Sequence, residues 1–383
     1  MSAEASVHAT AQTGAQAGAS VDDRRFMALA LTLGRRGLGR TWPNPAVGTV
    51  IVKDGIIVGR GWTQTGGRPH AEIEALRRAG GAARGATLYV TLEPCSHYGK
   101  SPPCADAIVA AGVARVVSAL EDPNPEVAGA GHARLRAAGI AVEIGIGAEE
   151  ARRDHAGHIR RMRDGRPHVT LKLAISADGK AGAAGRRPLA ITGAAARDRV
   201  HLMRAQSDAI MIGVGTALAD DPALTCRLPG MAGYSPVRIV LDGTLRLPPS
   251  SRLALTAHET PVWVLAGPRA AAATEEILVA KGIVVLRTAE SDGRLDLAAA
   301  LKLVAERGIT RLMVEGGPTL AAALFTADLI DEAVLFQSAK AAGADAIDAL
   351  DGLSLSALTQ SPRLVSVASD AVGADIREIY ERR

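Results

Sequence analysis

His70-Ala71-Glu72, then Pro94-Cys95 and, nine residues further on, Cys104 gather an imidazole, a carboxylate and two thiols in one stretch of chain. An imidazole with two thiolates is a three-ligand zinc set whose fourth position stays open, whereas a structural zinc site is closed by a fourth Cys or His. An open set makes a nucleophile of water at neutral pH. Glu72 lies too near His70 to serve easily as another ligand, and it is well placed to handle protons beside the metal. Cys104 precedes an expected helix, whose N-terminal partial positive charge favours the thiolate that ligation needs. The bland alternative is a reduced cysteine pair beside a surface histidine. His97, between the cysteines, is a spare ligand, a substrate contact or an exposed side chain.

A second grouping, Glu315-Gly316-Gly317-Pro318-Thr319, follows an expected strand and opens an expected helix. Glycines there let backbone N–H groups approach a phosphate, and the helix dipole favours its charge. It is neither a Walker loop nor G-x-G-x-x-G, so an ordinary Rossmann site is not indicated.

The elements that carry these groups alternate. An amphipathic helix runs from Asp22 to about Gly34, with Asp22 or Asp23 as its N-cap. GTVIVKDGIIVGRG (48–61) reads as two strands joined at Asp54-Gly55. Helix 70–79, strand 87–92, helix 104–111, strand 115–120, helix 127–138 and strand 140–145 follow. Residues 147–167 are charged and poor in apolar side chains, and read as a helical linker with His155 and His158 on a solvated face. Strands at 169–175, 209–213, 237–242, 261–265 and 283–287, helix 295–307, strand 311–317, helix 318–327 and strand 333–337 make a second α/β pattern. The expected organisation is a tail over 1–20, a domain over 21–147, a linker helix over 148–167 and a second domain over 168–383, both domains α/β with largely parallel sheets.

The 383 residues fit two or three domains at roughly 150 residues each. Apolar residues make up 48% and charged ones 22%, close to the globular average, which excludes wholesale disorder. No apolar run approaches the roughly 20 residues that cross a bilayer, so no membrane partner is expected. Three cysteines are too few and too odd in number for a secreted disulfide scaffold, and the first twenty residues have neither the basic start nor the apolar core of a signal peptide. A disordered tail and a cytoplasmic enzyme follow as expectations. The net charge of +4 is spread along the chain and only ten residues are aromatic, which argues against a nucleic-acid partner.

The metal grouping has the form of the zinc-deaminase signature H-x-E…P-C-x-x-C, widened to eight residues (SHYGKSPP) between the cysteines. Together with Thr41-Trp42-Pro43-Asn44-Pro45-Ala46-Val47-Gly48, VTLEPCSHYGKSPPC (90–104) and Glu121-Asp122-Pro123-Asn124-Pro125, it resembles the bifunctional riboflavin-biosynthesis deaminase/reductase family over about residues 22–145. Lys172-Leu173-Ala174-Ile175-Ser176, the run 204–210 (RAQSDAI), Gly215-Thr216 and the run 220–227 (DDPALTCR) resemble the family's reductase half. The resemblance implies a cytidine-deaminase-like fold followed by a dihydrofolate-reductase-like one. It implies Zn2+ on His70, Cys95 and Cys104, Glu72 as proton shuttle, and Asn44 against the substrate; Asn44 between two prolines also suits a plain turn. It places NADPH against Ala174, Thr216, Asp220, Gly317, Pro318, Thr319, Leu320, Ala321, Ala322 and Ala323, and the phosphoribosyl substrate against Arg204, Leu224, Arg227 and Glu315. Arginine suits a phosphate because its planar fork pairs two oxygens at once. Arg204 and Arg227 as surface residues, and Asp220 as a turn cap, are the ordinary alternatives.

One segment departs from the family: Arg187-Pro188-Leu189-Ala190 stands where a Ser-x-Trp usually lines the cofactor site, so weaker cofactor binding or a displaced loop is expected. The implied reactions are hydrolytic deamination of 2,5-diamino-6-ribosylamino-4(3H)-pyrimidinone 5′-phosphate and reduction of its ribosyl group to ribityl, by a homo-oligomer (dimer or tetramer) acting on small molecules. Two rival readings are a nucleic-acid base deaminase with an accessory domain, which needs a basic stripe, and a zinc-stabilised binding module, which needs a fourth ligand.

Overall fold

Strands β1 (Gly48–Lys53) and β2 (Ile56–Trp62) pair antiparallel around Asp54-Gly55, both at positive φ (50° and 75°), the geometry of the tight hairpin turn that Asp-Gly favours. The computed structural model describes residues 20–99, 101–183 and 189–383, in two units, one ending at Asp164 and one running from Gly165 to Arg383. The tail expected over 1–20 lies outside the described residues except for Ser20, as do Arg187 and Pro188.

In the first unit β3 (Thr87–Val90), β4 (Arg115–Ser118) and β5 (Ala141–Ile144) complete a sheet of order β2-β1-β3-β4-β5. β3, β4 and β5 run parallel, whereas β1 is antiparallel to both its neighbours. Helix α1 (Val21–Gly34) is capped by Ser20, whose Oγ accepts the Asp23 N–H, and not by Asp22 or Asp23. Asp23 instead turns inward, accepting from Tyr89 Oη at 2.7 Å and from Arg115 at 2.8 and 3.1 Å. Helices α2 (Ala71–Ala79), α3 (Cys104–Ala110) and α4 (Ala130–Ala137) fill the crossovers. α2 lies close on β2 because Gly61 carries no Cβ; one there would stand 2.3 Å from the Ala71 carbonyl.

Residues 148–164 form two helices, α5 (Ala148–Asp154) and α6 (Ala156–Asp164), that belong to the first unit. Ala148 and Ala151 join its core. His155 and His158 are not on a solvated face: both are buried, His155 Nε2 3.0 Å from Thr91 Oγ1 and His158 Nε2 2.9 Å from Asp122 Oδ1. The charges of this stretch occupy one helical side and hide an inward stripe of Ala and His.

The second unit is built on β6 (His168–Ile175), β7 (Ala209–Gly213), β8 (Val237–Leu241), β9 (Val262–Ala266), β10 (Val284–Arg287), β11 (Arg311–Val314), β12 (Glu332–Gln337), β13 (Leu364–Val372) and β14 (Asp375–Arg382). Their order is β10-β9-β8-β7-β11-β6-β12-β14-β13. The strands from β10 to β12 are parallel, and the C-terminal β14 and β13 add antiparallel. That ribbon, with helices α7 (Ala194–Ala205) and α8 (Val214–Asp220), has no counterpart among the expected elements. The chain winds outward to β10 and returns between β7 and β6, so the carboxyl ends of β6, β7 and β11 open together, the place where open α/β sheets bind ligands.

Candidate active sites

His70 is the N-cap residue of α2 and Cys104 the first residue of α3, so each helix start fixes one of the expected ligands. His70 Nδ1 stands 3.4 Å from Cys104 Sγ and 3.7 Å from Cys95 Sγ, and the three donor atoms all lie within 4.8 Å of one another. Zinc bonds of about 2.3 Å to sulfur and about 2.0 Å to nitrogen at tetrahedral angles put N and S roughly 3.6 Å apart, so this donor set fits the ion. The Cys104 backbone N–H donates to Cys95 Sγ at 3.3 Å. The α3 start therefore favours thiolate on Cys95 as well. Hydrogen bonding from Cys104 holds Cys95 down to about 4, while Cys104, donating and buried, is pushed up.

Glu72 sits in the first turn of α2 and is 3% exposed. Burial pushes its carboxyl up to about 7, against the pull of His70. It is outside the donor cluster, beside it. Asn44 donates from Nδ2 to the Gly67 carbonyl at 2.8 Å, bracing the segment that leads into His70. His97 is exposed and not one of the three. Arg68 was not singled out in the sequence; its guanidinium donates to Ser101 on the cysteine loop, and among the described residues no carboxylate pairs with it.

In the second unit a cleft of about 390 Å³ opens at the strand ends. Of the cofactor candidates it brings together Ala174, Thr216, Asp220, Gly317, Pro318, Thr319 and Leu320, with Glu315 beside them. Helix α9 (Pro318–Thr326) starts here with Gly317 as N-cap and proline in its first turn; the Gly317 N–H donates to Thr216 Oγ1 at 3.1 Å. Ala321 and Ala322 are buried in that helix, and neither they nor Ala323 line the cleft. Leu224 is in the core and does not line it either. The neighbouring Asp221 accepts the Arg252 N–H on Oδ1 at 2.7 Å, a bond to a helix start 31 residues away and not a cap of the turn that follows.

Arg204 is committed within the protein: Nε and Nη2 meet the two Glu315 oxygens at 2.6 and 2.9 Å, and Nη1 meets the Thr225 carbonyl. Burial opposes both charges, yet each holds the other ionised, Glu315 below the usual carboxylate range and Arg204 above its own. A bidentate grip on phosphate by Arg204, the expectation, conflicts with this pairing. Arg227 is exposed and among the described residues has no acidic partner. Lys172 lines the cleft, and burial lowers its ammonium against the attraction of Glu315. Its signal was its place inside the Lys172–Ser176 motif.

Residues 20–120 match the family model described as the cytidine and deoxycytidylate deaminase zinc-binding region, and residues 167–377 match the RibD C-terminal domain. The riboflavin biosynthesis protein RibD of Escherichia coli (strain K12) is 43% identical over 367 residues, covering 93% of this chain and 98% of its own. The chain belongs to the RibD family. The RibD of Bacillus amyloliquefaciens is 40% identical, over 92% of this chain and 94% of its own. The solved Acinetobacter baumannii RibD (form 1) superposes with a TM-score of 0.83 at 37% identity, covering 94% of this chain and 99% of that one. A Thermotoga maritima diaminohydroxyphosphoribosylaminopyrimidine deaminase/5-amino-6-(5-phosphoribosylamino)uracil reductase gives 0.81 at 34% identity with the same coverage. As a RibD-family enzyme the chain joins a hydrolytic deaminase half to a reductase half in riboflavin biosynthesis.

Proposed function

We propose that the first unit hydrolyses the 2-amino group of a diaminopyrimidinone ribosylamine 5′-phosphate, and that the second reduces the ribosyl of the product to ribityl with NADPH. One observation carries the deaminase reading: His70, Cys95 and Cys104 present three zinc-spaced donors beside a buried carboxylate, Glu72. Zinc, when bound, supplies Lewis-acid activation of water. Glu72 takes one proton of the water and gives it to the ring nitrogen, then takes the second from the hydroxyl now on the ring carbon and gives it to the departing amine; its raised pKa suits a group that must both accept and donate near neutrality. Asn44 keeps the Gly67–His70 segment in place, with its amide oxygen left for substrate.

In the second unit, NADPH, when bound, supplies the hydride. The backbone around Gly316-Gly317 and the start of α9 favour a phosphate there. Lys172 and Glu315, the latter held in place by Arg204, orient the sugar from the cleft lining, and Arg227 is the arginine left for the substrate's phosphate. A coupled assay with the diaminopyrimidinone substrate, zinc and NADPH tests the whole reading: ammonia release and NADPH oxidation are both expected. Ammonia release without zinc, or unchanged zinc content in Cys95→Ala, overturns the deaminase assignment.

A further inference from the structure

Two of the three proposed ligands are held by helix starts, but Cys95 is on a loop between β3 and α3 and needs another anchor. Two residues earlier, Glu93 is 4% exposed. Its Oε2 accepts the N–H groups of Asp122 at 3.1 Å and Gly129 at 2.9 Å, and its Oε1 accepts the N–H of His132 at 3.1 Å. The carboxylate thus closes the beginning of α4 as an acidic cap does, and neither oxygen is without an N–H donor. The same turn of α4 also presses on this loop: a Cβ on Gly131 would stand 2.0 Å from the Pro94 carbonyl oxygen and 3.1 Å from Glu93 Oε1. Cys95, next in the chain, then offers Sγ to the Cys104 N–H at 3.3 Å and to His70 at 3.7 Å.

We propose that Glu93 is a positioning residue for the deaminase centre, tying the Glu93–Cys95 loop to the first turn of α4 and so setting where Cys95 Sγ stands relative to His70 and Cys104. This rests on the reading of Cys95 as a ligand. An amide cannot replace the carboxylate: in either orientation of Gln, its NH2 faces at least one N–H donor, and the loop is released on that side. Removing groups that orient metal ligands typically weakens metal affinity or activity about 10–100-fold.

The test uses the full chain loaded with zinc or with cobalt(II). Glu93→Gln is expected to bind metal about 10–100-fold more weakly by chelator competition, to shift the cobalt ligand-field bands, and to lower deaminase kcat with KM within about twofold. Gly131→Ala, which pushes a methyl group from that same turn against the Pro94 carbonyl, should move the same bands and decides the matter if Glu93→Gln does not fold. Leu135→Ala, a truncation in the core face of α4, should lower the melting temperature and leave the bands alone. The reductase rate of the same chain reports that the second unit is intact. Wild-type affinity and spectrum in folded Glu93→Gln, or an equal spectral shift in Leu135→Ala, overturns the clamp. Undiminished metal in Cys95→Ala overturns the ligand reading instead, which separates the two failures.

Discussion

At the scale of single residues, the two carboxylates next to the reacting groups are buried for different ends. Among the described residues no arginine or lysine counts among the groups acting on Glu72, and burial leaves it able to hold or release a proton near neutral pH. Glu72→Gln should therefore cost about 10²–10⁴-fold in ammonia release while zinc per chain, by elemental analysis, stays as in wild type. Loss of the metal would make Glu72 a ligand. Glu315 is locked in charge by Arg204, and removing one partner strands the other. Arg204→Ala should destabilise the second unit by about 3 kcal/mol in denaturant unfolding, and Arg204→Lys should restore little, since an ammonium cannot make the two-point contact. Arg227→Ala should leave the melting temperature alone and raise KM for the phosphorylated substrate more than for NADPH. If Arg204→Ala proves as stable as wild type and only substrate KM rises, the pairing is not structural.

At the scale of elements, the starts of helices do much of the positioning. His70, Cys104 and Gly317 all stand at such starts, and motif spacing already places them there. The start of α1 was legible only in part: an Asp near a helix start reads as a cap, but Ser20 caps and Asp23 is drawn into the sheet by Tyr89 of β3 and Arg115 of β4, partners far away in sequence. Arg115 and Tyr89 hold the Asp23 carboxyl well below the usual range. A depressed carboxyl contributes stability that is whole above its unfolded pKa of about 3.9 and is lost as pH falls toward the folded value. Asp23→Asn should thus cost the first unit about 2 kcal/mol at pH 7, and the gap from wild type should narrow only below about pH 4. A gap that stays constant down to pH 2 would mean that the ionised form carries none of this stability.

At the scale of the whole molecule, the expected metal donors precede Asp164 and the glycine turn, Lys172, Arg204 and Glu315 follow it, and each unit has its own core. A fragment of residues 165–383 should bind NADPH and reduce already deaminated substrate without zinc. A folded fragment with no NADPH affinity by titration, where the full chain has it, would sink the idea of separable activities. Among the described residues no helix is long and apolar enough to cross a membrane.

The sequence alone determined what depends on local order: the Asp54-Gly55 hairpin, the alternation of strands and helices, and the ligand-type residues at helix starts, because turn chemistry and periodicity act between near neighbours. It also carried the family, since motif identity and spacing are one-dimensional facts. Tertiary structure decided the rest. Which way a polar side chain faces depends on what distant chain packs there, so His155 and His158 went inside against Thr91 and Asp122 while their charged neighbours suggested water. Arg204 went to Glu315, 111 positions away. Arg238, 0% exposed as the second residue of β8, is held by the Ala223, Thr256 and Thr260 carbonyls and the Thr256 hydroxyl, a set of acceptors that exists only once the loops around that strand have closed.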